Sequence, residues 1–289
     1  MKARTRVALV TLLAALVQGA PAGAGGIPWG QVIGADAGTL DDTQKALCAS
    51  ILEKEKSYHG CEGTIAKCLA AKEGSMTARR LAGMVVRKVK AGYTADQIEE
   101  MVRKRGLSMH PAKTHAISLE GAPSVGDESP AVKVAAFSDF QCPYCRKVLP
   151  RLEKLAKKMK GVRLYFKHFP VKSHKRAVFA AAASLAAHGQ GKFWPFHDLC
   201  YKDPDHLEDA DLVAKAKEAG VADLGKFKKA MADKAVLKAI EKDKLEGLKL
   251  GVKGTPTIYI DGKEYLGETT YDDLQDVLSE ELDLAAGKS

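Results

Sequence analysis

The apolar positions of the chain change period partway along it. From Leu40 to Gly106 they recur at helical spacing. Asp41 or Asp42 can cap a first helix running to about Ser57, and a Cys-containing turn and short helix follow from Cys61 to Ala71. Thr77 can cap a third helix, with Leu81, Met84, Val85 and Val89 inward. Thr94-Ala95-Asp96-Gln97 is a capping box, in which hydroxyl and amide each satisfy a free N–H. It opens a helix with Ile98 and Met101 or Val102 inward, stopped by Gly106. Residues 38–106 therefore predict a small all-α domain, below the size at which a core alone is comfortable.

Residues 107–130 hold Pro111, Gly121, Pro123, Gly126 and Pro130 and read as a linker, with an edge strand expected at Ala116 to Leu119. The period changes at Ala131. Ala131 to Phe137 and Val162 to Lys167 read as buried strands. The helix between them, Pro143 to Lys160, carries Leu149, Leu152, Leu155, Ala156 and Met159 on one stripe and contains Pro150, which should kink it. Strand, helix, strand in so short a span is a βαβ unit. A helical stretch follows over residues 173–252. Asp261-Gly262 then separates Thr257–Ile260 from Lys263–Leu266 as a two-residue hairpin, and a last helix covers about Tyr271 to Leu284. These elements form a second domain over residues 131–286.

The amino terminus bears on the compartment. Lys2, Arg4 and Arg6 precede an apolar run from Val7 to Val17, and small residues with an A-x-A pattern follow. That run is short of the about 20 residues a bilayer needs, so residues 1–24 are expected to be a cleaved signal peptide. Export to the periplasm, where disulfides persist, is the corresponding localisation. The 289 residues carry 45 Lys+Arg and 36 Asp+Glu, a formal charge of +9, or +6 without the three basic residues of the signal. The cations are mostly Lys mixed with acids, which reads as solvated surface, and no nucleic acid is expected as a partner.

The chemistry concentrates at Cys142-Pro143-Tyr144-Cys145. A C-x-x-C in a βαβ context reads as a thiol redox pair. Cys142 falls where a strand ends and a helix begins, and the free N–H groups and positive dipole end there stabilise a thiolate. Pro143 suits the first helical turn because its missing N–H costs nothing. Cys142 is thus expected to be the exposed nucleophile and Cys145 the shielded resolving thiol. Asp139, three residues before Cys142, either assists proton transfer from Cys145 or caps the strand end. No second C-x-x-C accompanies the pair, and Cys48, His59, Cys61 and Cys68 are irregularly spaced for zinc, so no metal site is expected.

Phe137-Ser138-Asp139-Phe140-Gln141-Cys142-Pro143-Tyr144-Cys145, Lys167-His168-Phe169-Pro170 and Gly251-Val252-Lys253-Gly254-Thr255-Pro256-Thr257 follow one another in order. On these motifs the chain resembles the DsbA-like branch of the thioredoxin superfamily from about Ala116 to Leu284. The resemblance implies an α/β thioredoxin fold with a helical insert, here preceded by the small all-α domain. It also implies a cis-Pro at Pro256 facing the cysteine pair, and a Thr255 backbone that pairs with extended substrate chains. Pro143, Tyr144, Thr255 and Pro256 would then bind substrate and tune the redox potential. No cofactor beyond the redox-active disulfide is implied; the partners would be cysteine-containing exported proteins and a membrane redox partner. Pro143-Tyr144 stands where the best-known oxidase of the branch has Pro-His. The same chemistry spans about −120 mV to about −270 mV, and export argues for the oxidant. The alternatives are a reductase or isomerase, acting on misformed disulfides or apocytochrome thiols, and a non-catalytic client-binding module.

Cys61 and Cys68, with Thr77-Ala78-Arg79-Arg80-Leu81 and Tyr93-Thr94-Ala95-Asp96-Gln97-Ile98, distantly resemble the small helical CcmH-type proteins of cytochrome c maturation. Their seven-residue separation departs from that pattern, and a structural disulfide is the expected role. Cys48, Cys61, Cys68 and Cys200 allow three full pairings; one bond within the helical domain leaves one of its three cysteines over, which either meets Cys200 across the domains or is free, as Cys200 then is. His168 is expected to be structural, and Phe193, Trp194 and Phe196 to pack the insert. The oligomeric state stays open.

Overall fold

The structure, a computed structural model, describes residues 26–71 and 75–288. The expected signal peptide, residues 1–24, lies outside the described residues. Among the described residues no helix is long and apolar enough to cross a membrane.

The amino-terminal part is all helical: α1 (Asp42–Lys54), α2 (Ile65–Ala70), α3 (Met76–Lys90) and α4 (Ala95–Met109). Asp41 and Gln44 cap α1 reciprocally, as Thr94 and Gln97 do α4. The core joins Cys48, Ile51 and Leu52 of α1 to Ile65 and Leu69 of α2, Leu81 and Val85 of α3 and Ile98 of α4. Cys61 and Cys68 are disulfide-bonded, bracing the turn into α2, while Cys48 and Cys200 are free and buried.

Some boundaries differ from expectation. Ser75, not Thr77, caps α3, its side chain accepting from the Ala78 N–H. The first helix stops at Lys54 rather than Ser57, and Glu55 and Ser57 instead bond across the loop to Ile65 and Gly63. Gly106 does not end α4. It lies against the Tyr58 ring, where a Cβ would sit 3.3 Å from the nearest carbon, so its small size serves packing. The helix ends at Met109, and His110, just before Pro111, has left the helical region with φ of −123° and ψ of 61°.

The second part is a five-stranded sheet in the order β1-β3-β2-β4-β5, formed by β1 (Ser124–Gly126), β2 (Val132–Ser138), β3 (Val162–His168), β4 (Thr257–Ile260) and β5 (Lys263–Glu264). β2 and β3 are parallel, joined through α5 (Pro143–Lys158), and the other pairings are antiparallel. Between β3 and β4 the insert supplies α6 (Ala177–His188), α7 (Phe193–Lys202), α8 (Asp209–Glu218), α9 (Leu224–Met231) and α10 (Lys234–Leu250); α11 (Tyr271–Ala285) closes the fold. The helix α5 is continuous across Pro150, which sits on its exposed face. Asp261 and Gly262 have φ of 49° and 78°, the left-handed pair a two-residue hairpin needs.

The edge strand is Ser124–Gly126, pairing with β3, and not Ala116–Leu119. Residues 116–119 are tied by side chains instead: Ser118 N–H donates to Glu246 Oε1 and Ser118 O accepts from Lys167 Nζ. Ile117 and Leu119 pack on Phe137, Phe169 and Tyr259.

The two parts meet along α11. Arg105, 1% exposed, donates from Nη2 to Glu280 Oε1 at 2.7 Å and from Nε to Tyr58 Oη at 2.9 Å. Tyr58 in turn donates to Glu280 Oε2 at 2.7 Å. Arg87 bridges Asp273 and Asp276, Lys88 reaches Asp273 at 2.7 Å, and Arg80 meets Asp283 at 2.7 Å. In these pairs every cation comes from α3 or α4 and every acid from α11. These charges are therefore not the solvated surface that the mixed-charge pattern predicted: Arg80, Lys88, Arg105, Asp273, Asp276 and Glu280 are buried against their partners, and Arg87 and Asp283 are half-buried.

Candidate active site

The ends of β2 and β3, the start of α5 and the loop before β4 converge on the cysteine pair. Cys142 is the N-cap residue of α5 with Pro143 in the first turn. Its Sγ donates to the carbonyl oxygen of Thr255 at 3.1 Å. The Thr255–Pro256 peptide is cis, and the loop that carries it overlies the pair. Cys142 is 5% exposed and Cys145 0%. The expected exposed nucleophile is thus largely covered, because the Thr255 carbonyl lies on its sulfur. Tyr144, 67% exposed, and Pro143 form the open rim.

The two sulfurs have opposite acidities. The Cys142 thiol is pulled down to about 5, first by a hydrogen bond from Cys145, with Thr255 and the Cys145 and Tyr144 backbone N–H groups adding to it against burial. The Thr255 hydroxyl is buried and has no hydrogen-bond partner among the described residues. Burial pushes the Cys145 thiol up, and its hydrogen bond to Cys142 pushes it the same way; Ser138 and the Asp139 backbone pull weakly in the other direction. A helix start that supplies N–H groups to one sulfur and encloses the other makes an attacking thiolate and a resolving thiol.

Asp139 is 2% exposed. Its carboxylate accepts from the Gln141 N–H at 2.7 Å, from the Val171 N–H at 2.7 Å and pairs with His174 Nδ1 at 2.9 Å. These contacts staple the loop before Cys142 to the loop after β3. His168 is buried in β3, and burial lowers it to about 3, so it stays neutral. Phe193 and Phe196 are buried, and Trp194 donates from Nε1 to Ser124 O at 2.8 Å; all three pack the insert.

Two open grooves flank the Thr255–Pro256 loop. One, about 330 Å³, is lined by Tyr144, Lys147, Val148, Arg151, Thr255, Pro256 and Thr269. The other, about 460 Å³, is lined by Gly251, Lys253, Gly254, Thr255, Pro256, Thr257 and Glu264. Tyr201 of α7, unmarked in the sequence, also reaches the site, with its hydroxyl 2.7 Å from Ser138 Oγ. Glu153, His197 and Asp198 bring ligand-type atoms within 4.8 Å of one another. Lys157 already sits on Glu153 at 2.5 Å, Asp198 pairs with His197 Nδ1 at 2.9 Å, and Lys154, Lys158 and Lys202 line the same cavity.

The family model described as thioredoxin matches residues 118–280. The chain belongs to the thioredoxin family. Within that family it is 35% identical over 172 residues to a probable disulfide bond formation protein D of Bacillus cereus, covering 55% of this chain and 78% of that protein. A solved thioredoxin-like oxidoreductase from Silicibacter pomeroyi superposes with a TM-score of 0.51 at 28% identity, over 59% of this chain and 95% of that one. The chain also matches a Na(+)/H(+) antiporter of Salinispora tropica, 34% identical over 143 residues, but spans only 22% of the antiporter's length and 49% of its own. The thioredoxin-family match leaves α1 to α4 outside it.

Proposed function

We propose that this thioredoxin-family chain is a thiol:disulfide oxidoreductase that acts as an oxidase on cysteine-containing exported proteins in the periplasm. The observation that carries the reading is the acidity split between Cys142 and Cys145 beneath the Thr255 carbonyl. A client thiolate attacks Cys142 Sγ in the disulfide form. The Cys142–Cys145 bond breaks, its electron pair goes to Cys145, and a client–Cys142 mixed disulfide forms. A second client thiolate attacks the client sulfur and Cys142 leaves as a thiolate. Two electrons have passed from client to pair, and Cys145 takes up a proton.

A stabilised Cys142 thiolate stabilises the dithiol state, and a stable dithiol makes the disulfide a stronger oxidant. That supports oxidation over reduction or isomerisation. A membrane redox partner would return the pair to the disulfide. Extended clients fit the two grooves, pairing with the Thr255 backbone. The test is equilibration of the full chain in glutathione buffers. A potential near about −120 mV is expected, and one near about −270 mV would overturn the oxidase direction. Loss of all exchange in Cys142→Ser, and accumulation of client mixed disulfides in Cys145→Ala, are the accompanying expectations.

A further inference from the structure

The helices α1 to α4 lie outside the thioredoxin match, and the exchange steps above use none of their residues. Two of their side chains nevertheless hold residues 265–270, which join β5 to α11. Ser108 of α4 is buried. Its hydroxyl donates to Lys104 O at 2.9 Å, and its oxygen accepts from the Leu266 N–H at 2.6 Å. Lys88 of α3, also buried, donates to Asp273 Oδ2 at 2.7 Å and stands 3.9 Å from Glu268 within the loop. The same Asp273 oxygen accepts from the hydroxyl of Thr270, the N-cap of α11, at 2.7 Å. One end of the loop is thus bonded to α4 and the other, through Asp273, to α3.

Between those ties the loop is closed on itself. Tyr265 is buried and donates from Oη to Glu268 O at 2.7 Å. Gly267 passes so near that ring that a Cβ there would sit 2.6 Å from the Tyr265 oxygen. Thr269, next along, accepts on its carbonyl oxygen from Arg151 Nη1 at 2.7 Å. Arg151 and Thr269 line the groove of about 330 Å³ that also holds Tyr144 and Pro256. Among the described residues no carboxylate pairs with Arg151, so a neutral carbonyl holds the guanidinium and its charge stays available to the groove. Hydrogen bonds therefore run from the helical domain, through the loop, to a wall of the groove on α5.

We propose that the helical domain is a specificity element, in which Ser108 and Lys88 hold the 265–270 loop so that Thr269 and Arg151 present a formed wall to acidic peptide clients. This rests on the disulfide-exchange reading above. Ser108 and Lys88 are positioning residues; their bonds go to the loop and to the start of α11, and neither lines the groove. A long side chain that is already placed loses less freedom when a client binds, so the benefit falls on client binding and not on the sulfur chemistry. Loosening the loop should weaken the hold on a peptide and leave bond exchange at Cys142 as it was.

The full-length chain, oxidised beforehand, is mixed with rising concentrations of a dithiol peptide carrying Asp beside its cysteine. Acid quench and mass spectrometry give the single-turnover rate, which separates half-saturation from the limiting rate. Dithiothreitol, which has neither peptide chain nor charge for the groove, is the companion client. Ser108→Ala is expected to raise the half-saturating peptide concentration about fivefold, the size of one neutral hydrogen bond. Its limiting rate and its dithiothreitol rate should stay within about twofold of native. Lys88→Gln, which leaves Arg87 on Asp273, should act in the same way. Arg151→Gln should weaken the peptide at least as much, and adding Ser108→Ala to it should change little, because Ser108 acts through Arg151. Native half-saturation in either Ser108→Ala or Lys88→Gln overturns the proposal. Equal slowing of peptide and dithiothreitol, the mark of a merely structural loss, overturns it too, as do additive losses in the double variant. A native chain that oxidises neither client overturns the exchange reading itself.

Discussion

The sulfur of Cys142 and the carbonyl oxygen of Thr255 stand 3.1 Å apart across 113 residues of chain. Through that contact the loop before β4 becomes part of the cysteine site. Cys142 in the dithiol chain ionises at about 5 against an ordinary value of 9.0. The folded state therefore holds the thiolate more firmly than the unfolded state does. The stabilisation is complete above about pH 9 and is lost as pH falls toward about 5. The reduced chain should accordingly gain melting temperature over Cys142→Ser as pH rises through this window. The 240 nm thiolate absorbance should titrate near pH 5 in the native chain and be missing in the variant.

Client choice should carry the sign of the groove beside Tyr144. Lys147 and Arg151 line it with Thr255 and Pro256, and no acid does. Peptides with Asp or Glu next to the reactive cysteine should be oxidised several-fold faster than peptides with Lys there, at low ionic strength. Added salt should erase the difference, because such charges are screened within about 10 Å at 0.1 M. Stopped-flow rates with the two peptide sets read this directly, and Lys147→Glu should narrow or invert the ratio.

Arg105 is the stability test. Arg105→Met leaves Glu280 buried opposite an apolar side chain, and removing one partner of a buried pair costs about 3–5 kcal/mol. Adding Glu280→Gln removes the stranded charge while keeping a group that Tyr58 can reach, and should recover a large part of the loss. Urea unfolding of the two variants separates these outcomes.

Cys61 and Cys68 close a short loop at the start of α2. Replacing both by Ser should cost about 2–3 kcal/mol on the chain-entropy scale. Exchange through Cys142 should be unchanged, which glutathione kinetics would check; a slowed exchange would tie this disulfide to the chemistry.

The cysteine site was legible because its determinants are local. A strand end, an N-cap and Pro143 lie within a few residues, and their physics does not depend on what packs around them. The hairpin at Asp261-Gly262 was legible for the same reason. Tyr201 was not, since its meaning comes from a contact across 63 residues of chain. Arg105, Lys88 and Asp273 read as surface because sequence reports a charge without its partner. The edge strand was misplaced because the backbone hydrogen bonds of Ser118 go to Glu246 and Lys167, side chains more than forty residues away, and Leu119 O accepts from Ala122 N–H in a local turn.

The seam along α11 has its charges sorted by side: Arg80, Arg87, Lys88 and Arg105 on one, Asp273, Asp276, Glu280 and Asp283 on the other. Cut within residues 107–130, the chain would yield two fragments with opposite faces, each repelling its own copies and attracting the other. The pair is in effect a lock divided between two keyholders. The fragments, produced apart, should find each other in dilute buffer and separate in concentrated salt, and neither would carry the full site's stability alone.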